Sequence, residues 1–261
     1  MKDNENQSKY FVRKGETVDQ ILKGSITILQ KEKGYRFSVD AVLLAHFIQL
    51  RRDDRIIDIG TGSGIISLIL ASRFSSIKVV GLEIQKDLAD MARRSIEMNG
   101  LDETVEIRHG DARDVTDMFA AQSFDVAVFN PPYRKLASGR VNPDMQRAIA
   151  RHEITGSIGD FLAAACYLLK DKGRIYAIYP AKRMAELFSR MKDSAIEPKR
   201  ARMVHTDISS RAKFVLMEGN KRGGEELHVM PPLYIYDGTG NYTREMAGIF
   251  GAITLPVDFS D

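Results

Sequence analysis

Arg55-Ile56-Ile57-Asp58-Ile59-Gly60-Thr61-Gly62-Ser63-Gly64, running straight into the apolar residues 65–74, is the stretch on which the fold turns. Residues 55–59 are a short β-rich run of the kind that lies buried in a parallel sheet. The glycines at 60, 62 and 64 let the backbone turn tightly and approach a ligand closely, and residues 65–74 continue as a helix. Strand, glycine turn and helix make one unit of a doubly wound α/β sheet.

Downstream the alternation repeats. Residues 78–84 predict a strand, and residues 85–98 an amphipathic helix stopped by Asn99-Gly100, a helix C-cap signal. Strands follow at 105–109 and 124–129, then a helix over 157–169 opened by Ser157 with Asp160 three residues on, a variant of the capping box. A strand at 173–179, a helix over 181–192 and runs at 201–205 and 214–217 close the sheet. Upstream, past a disordered tail, residues 26–30 and 35–37 flank Lys31-Glu32-Lys33-Gly34 and predict a hairpin. Ser38 then opens a helix through about residue 50. The chain reads as one mostly parallel α/β domain, residues 37–261, with helices on both faces and an N-terminal arm, residues 1–36. Ligands of such sheets sit outside the carboxyl ends of the strands.

With 44% hydrophobic and 28% charged residues among 261, the composition excludes global disorder. The longest apolar run, residues 65–71 with Ser67 inside it, is far too short for a membrane span. Residues 1–9 are polar, so no secretory signal is expected and the location is read as cytoplasmic. The single cysteine, Cys166, excludes an internal disulfide and a Cys-rich zinc site; its apolar surroundings suit a buried small hydrophobe. His46, His109, His205 and His228 lack metal-ligand spacing, so no metal is expected. Tyr176, Tyr179, Tyr234 and Tyr236 read as strand packing. Net charge is only +3 but is segregated: residues 182–222 hold 11 Lys/Arg against 5 Asp/Glu, residues 134–151 hold 5 against 1, and residues 1–36 hold 8 against 5. Clustered cations suit a phosphate backbone, although such runs also occur as solvated faces.

Four segments at strand ends carry the chemistry. A dinucleotide fingerprint needs glycines at 60, 62 and 65, but position 65 is Ile. Asp58 before the loop repels a pyrophosphate and suits a cationic ligand, which favours S-adenosylmethionine over a nicotinamide cofactor without excluding the latter. Glu83 can accept from two ribose hydroxyls, or can simply open a helix. Asp111, followed by Ala112, can accept from an adenine amino group, or can be a turn aspartate. Asn130-Pro131-Pro132-Tyr133 is the most telling segment. Neither proline has an N–H, so the backbone offers carbonyls without competing donors. With the Asn130 side-chain carbonyl, two acceptors can hold one planar NH2, and Tyr133 offers a face for a planar base or amide. The alternative is a plain Asn-Pro turn.

These residues resemble the class I S-adenosylmethionine-dependent methyltransferases of the amino-methylating type. Residues 34–45, the loop at 58–65, residues 81–85, Asn130 to Tyr133, and Ala150-Arg151-His152-Glu153 are similar to the bacterial tRNA1(Val) adenine-N6-methyltransferase family. The resemblance implies a Rossmann-like, seven-stranded, mostly parallel sheet whose last strand is antiparallel. It implies methylation of the exocyclic amine of adenine-37, just 3′ of the anticodon. It also implies cofactor contacts at Asp58, Gly60, Gly62, Gly64, Glu83, Asp111, Ala112 and Asn130, with Arg36, Phe37 and Asp40 over the cofactor site. Catalysis falls to Asn130, Pro131, Pro132 and Tyr133, and substrate contacts to Tyr133, Arg134, Lys135, His152 and Glu153, the last two equally readable as a structural pair. tRNA is the expected partner, through residues 1–36, 134–151 and 182–222.

The nearest rival is a methyltransferase acting on a glutamine amide of a release factor or other protein, since that NH2 is also planar. The basic segments and the lack of a separate N-terminal helical domain lean against it. Adenine methylation in rRNA or DNA fits the same motifs. A nucleotide-binding oxidoreductase is opposed by Ile65 and Asn130, and a silent RNA-binding module by the intact acceptor set.

Overall fold

A computed structural model describes residues 11–33, 36–131 and 156–251. They open with a hairpin, β1 (Glu16–Ile21) paired antiparallel to β2 (Ile26–Lys31), Val18 opposite Leu29, across a turn at Leu22–Gly24. The expected hairpin is thereby corrected: the strand at 26–30 forms, but its partner lies upstream in the supposed tail, not at 35–37. Register and docking explain the choice. Ile26, Ile28 and Leu29 are buried, while the upstream strand exposes Val18 and keeps polar Thr17 and Asp19 on its half-buried side, which hides its periodicity.

The elements then run α1 (Val39–Phe47), β3 (Arg55–Ile59), α2 (Ile65–Arg73), β4 (Lys78–Glu83), α3 (Lys86–Met98), β5 (Val105–His109), α4 (Val115–Met118), β6 (Phe124–Phe129), α5 (Ile158–Leu168), β7 (Leu169–Pro180) and α6 (Met184–Asp193). β8 (Ile196–His205), β9 (Ala212–Lys221), β10 (His228–Val229), β11 (Leu233–Tyr234) and α7 (Arg244–Ile249) follow. α1 ends earlier than expected because Ile48 turns extended, at ψ 131°. Ser157 caps α5 with a full capping box through Asp160. β8 and β9 outrun their apolar centres, since charged residues such as Arg200 and Glu218 pair across the ladder.

The sheet order is β10-β8-β9-β7-β6-β3-β4-β5, with β11 also on β8, nine strands in all. β9 is antiparallel to both β7 and β8. The seven-stranded sheet with its last strand antiparallel is therefore present, extended by two two-residue strands on the β8 edge. Alternation along the strands divides the core between the faces. Ile56, Val79 and Val128 pack under α1 and α2, whereas Ile57, Leu82 and Phe129 pack under α5 and α6. β4 lies on one side of β3 and β6 on the other, so the order of winding reverses there and opens a crevice at the carboxyl ends.

Candidate active site

Asp58 stands one residue before the end of β3, 1% exposed. Its Oδ2 accepts from Thr61 Oγ1 at 2.6 Å and Ser67 Oγ at 2.8 Å. Its Oδ1 is buried with no partner among the described residues, and so is Ser63 Oγ. Burial pushes the Asp58 carboxyl up to about 6, against the pull of the two hydroxyls. Gly81 sits opposite Asp58 on β4. A Cβ there would stand 2.6 Å from Ile107 Cδ1 and 2.9 Å from Thr61 Cγ2, displacing the threonine that holds the carboxylate.

The glycine loop folds back over the strand ends, with the Gly60 and Thr61 N–H groups both donating to the Leu82 carbonyl, at 2.8 and 3.0 Å. Gly60 needs its glycine twice over: φ is +75°, and a Cβ would lie 3.1 Å from the Phe161 ring of α5. At the end of β4, Glu83 accepts from the Gly62 N–H at 2.9 Å and the Gln85 N–H at 2.8 Å. Burial raises its pKa, these two bonds oppose the rise, and the nearby Asp58 charge adds to it. Two buried carboxylates thus flank one glycine loop.

Asp111 follows β5 and caps the 3-10 turn Ala112–Asp114, accepting from the Arg113 N–H at 2.9 Å, and ion-pairs the Arg113 guanidinium. That guanidinium, foremost among its contacts, lowers the Asp111 pKa. Asn130, half-buried, and buried Pro131 follow β6 directly. Because Asp58 is in register with both Gly81 and Val128, Gly60 and Asn130 each stand two residues past a paired position on neighbouring strands. Pro132, Tyr133, Arg134, Lys135, His152 and Glu153 lie outside the described residues.

Arg36 ion-pairs Asp19 and donates to Thr17 Oγ1 at 3.0 Å, so its side chain is tied to the β1–β2 hairpin. The Phe37 N–H donates to Gln30 Oε1 at 3.0 Å, and Asp40, buried in the first turn of α1, accepts from the Ala41 N–H at 2.9 Å. Thr61, Ser63, Ser67 and Phe161 escaped the sequence reading. The polar Ser67 inside an apolar helix was the available signal. Tyr236 also departs from strand packing: it stacks on Tyr242 at the surface, centroids 5.3 Å apart. Among the described residues no group of three or more His, Cys, Asp or Glu is arranged for a metal, and no helix is long and apolar enough to cross a membrane.

A family profile described as methyltransferase domain matches residues 50–230. The chain belongs to the methyltransferase domain family. Proteins named tRNA1(Val) (adenine(37)-N6)-methyltransferase are similar to this methyltransferase. That of Porphyromonas gingivalis is 38% identical over 133 residues, 50% of this chain and 51% of the relative. That of Shewanella halifaxensis is 28% identical over 225 residues, 80% of this chain and 88% of the relative. The chain thus spans about half the length of the P. gingivalis relative. A predicted O-methyltransferase of known structure from Agrobacterium tumefaciens superposes with a TM-score of 0.67 at 21% identity, over 80% of this chain and 94% of that one. This likeness shows the shared class I fold.

S-adenosylmethionine is the cofactor that this methyltransferase class implies, and the residues fit it. An unpartnered carboxylate oxygen on Asp58 and a raised carboxyl on Glu83 both gain from a ligand that carries an ammonium and a sulfonium. Each Glu83 oxygen keeps lone-pair capacity for a ribose hydroxyl beside its backbone donors.

Proposed function

We propose that the protein methylates the exocyclic N6 amine of an unpaired adenine in tRNA, with adenine-37 of tRNA1(Val) as the target that its named relatives suggest. The carrying observation is Asn130-Pro131 at the carboxyl end of β6, beside the glycine loop and its two buried carboxylates. The loop at 58–64 and Glu83 would hold S-adenosylmethionine, which would supply an electrophilic methyl group on a sulfonium whose loss of that methyl leaves a neutral thioether. The Asn130 side-chain oxygen and the Pro131 carbonyl accept the two amine hydrogens and so orient the nitrogen lone pair. Tyr133 offers the face on which the flipped base lies. No strong base is needed, because the methylated nitrogen gives its surplus proton to water. Rate enhancement comes from positioning and preorganised dipoles. The work is assigned to the cytoplasm, with tRNA held in part by the arm of residues 1–36 and the basic residues 134–151.

The test is transfer of labelled methyl from S-adenosylmethionine to RNA and protein of a strain lacking this gene. Label released from tRNA as N6-methyladenosine, and mapped to position 37, supports the proposal. Label confined to protein assigns the site to a glutamine amide instead.

A further inference from the structure

Tyr236, Tyr242 and Phe250 form a column of rings, each step 5.3 Å between centroids with planes 8° and 18° apart. Tyr242 lies in the middle, 46% exposed, and Tyr236 at the outer end, 37% exposed with one face already covered by Tyr242. Three-ring columns at a surface supply a flat, rigid face, and every nucleobase can stack on such a face.

The column's place in the sheet ties it to the candidate active site. β8 runs in the same direction as β7 and β6, because β9 is antiparallel to its two neighbours, so His205 ends β8 at the carboxyl edge. β11 pairs in parallel with β8, Tyr234 opposite His205, and the Tyr236 N–H donates to the Thr206 carbonyl at 2.8 Å. The column therefore emerges at the same end of the sheet as Gly60, Glu83 and Asn130. From β6 to β8 is three strand spacings, about 14 Å, within reach of nucleotides flanking a base held at Asn130.

Cations lie on the neighbouring segments. Arg211 closes the loop after β8, Arg244 follows Tyr242 and Thr243, and Lys23 of the hairpin turn approaches Gly251, whose built Cβ would lie 3.7 Å from Lys23 Cγ. None of the three has an ion pair among the described residues. The nearby acids are engaged: Asp207 and Asp237 accept from their own turns, and Glu245 pairs with Arg202.

We propose that the Tyr236–Tyr242–Phe250 column, with Lys23, Arg211 and Arg244 on the neighbouring segments, is a stacking platform for an unpaired nucleotide of the RNA substrate near the methylated base. The proposal rests on the RNA reading above. Because the chain has no tryptophan, Y236W introduces a single fluorescent reporter in the platform. Titration with an unmodified tRNA1(Val) transcript should quench its emission at near wild-type affinity. Y236A should bind the transcript about tenfold more weakly, the loss of one base–aromatic stack, with S-adenosylmethionine affinity unchanged. K23Q and R244Q should each lower the salt slope of binding by about 0.7, which keeps the test open should Y236A not fold. If the wild type binds and methylates tRNA while Y236W emission and Y236A affinity do not change, the platform is overturned and the RNA reading stands. If the wild type neither binds nor methylates tRNA, both fall. A Y236A protein whose sedimentation without RNA changes while its RNA affinity does not assigns the column to a second copy of the chain and overturns the platform.

Discussion

At the scale of the residue, Asp58 and Asn130 carry opposite kinds of legibility. Asn130 was conspicuous because an acceptor followed by two prolines is a rare chemical arrangement, visible without coordinates. Asn130→Ala should lower kcat for methyl transfer about 100-fold, with the KM for S-adenosylmethionine moving far less; single-turnover assays would separate the two. Asp58 was legible as an acid before a glycine loop, but its energetic state was not, since burial depends on β4 and α2 closing over it. Its carboxyl, ordinarily at 3.8, is pushed up to about 6 in the fold. A raised folded pKa stabilises the protein at low pH, and that contribution is lost as pH rises through about 6. Asp58→Asn removes the titration, so its stability relative to wild type should grow by about 2 kcal/mol between pH 4 and pH 7 without cofactor. Urea unfolding of both proteins across that range is the measurement.

At the scale of the element, local chemistry predicted what forms and failed on what pairs with what. The capping box at Ser157 and the Asn99-Gly100 stop are complete within a few residues, and both stand as read. The hairpin did not, because a strand's partner is selected by docking. Leu29 donates to Ser95 Oγ at 3.0 Å and Thr27 to Asn99 Oδ1 at 3.0 Å, which fixes β2 on α3. Arg94 on α3 then holds β1 through two 2.7 Å bonds to Glu16, whose pKa this guanidinium lowers. Arg94→Ala should destabilise the protein by about 1.5–3 kcal/mol. Amide exchange should locate the loss, with β1 and β2 opening before the central sheet.

At the scale of the whole molecule, the segregated charge acquires a different meaning. In the basic stretch 182–222, Arg183, Lys192, Arg200, Arg202 and Arg222 pair with Glu186, Glu197, Glu218, Glu245 and Asp171. Much of that charge therefore holds the sheet edge together, and the expected RNA contact through this stretch narrows to cations such as Arg211. Arg200 pairs with Glu218 at 2.9 Å and lies over the Phe47 ring. Arg200→Gln should lower Tm by a few degrees while the salt slope of RNA binding stays at the wild-type value, as calorimetry and salt titration would report. What the sequence determined by itself is the alternation of strands and helices, the loop at 58–64 and the run Asn130-Pro131-Pro132-Tyr133, because each is written in neighbouring residues. The tertiary structure alone decided which strand joins which and which cations are already neutralised. It also decided where Asp58 loses its water and where Tyr236 meets Tyr242 and Phe250. Pairing, desolvation and stacking are properties of residues far apart in the chain, set only when the sheet closes.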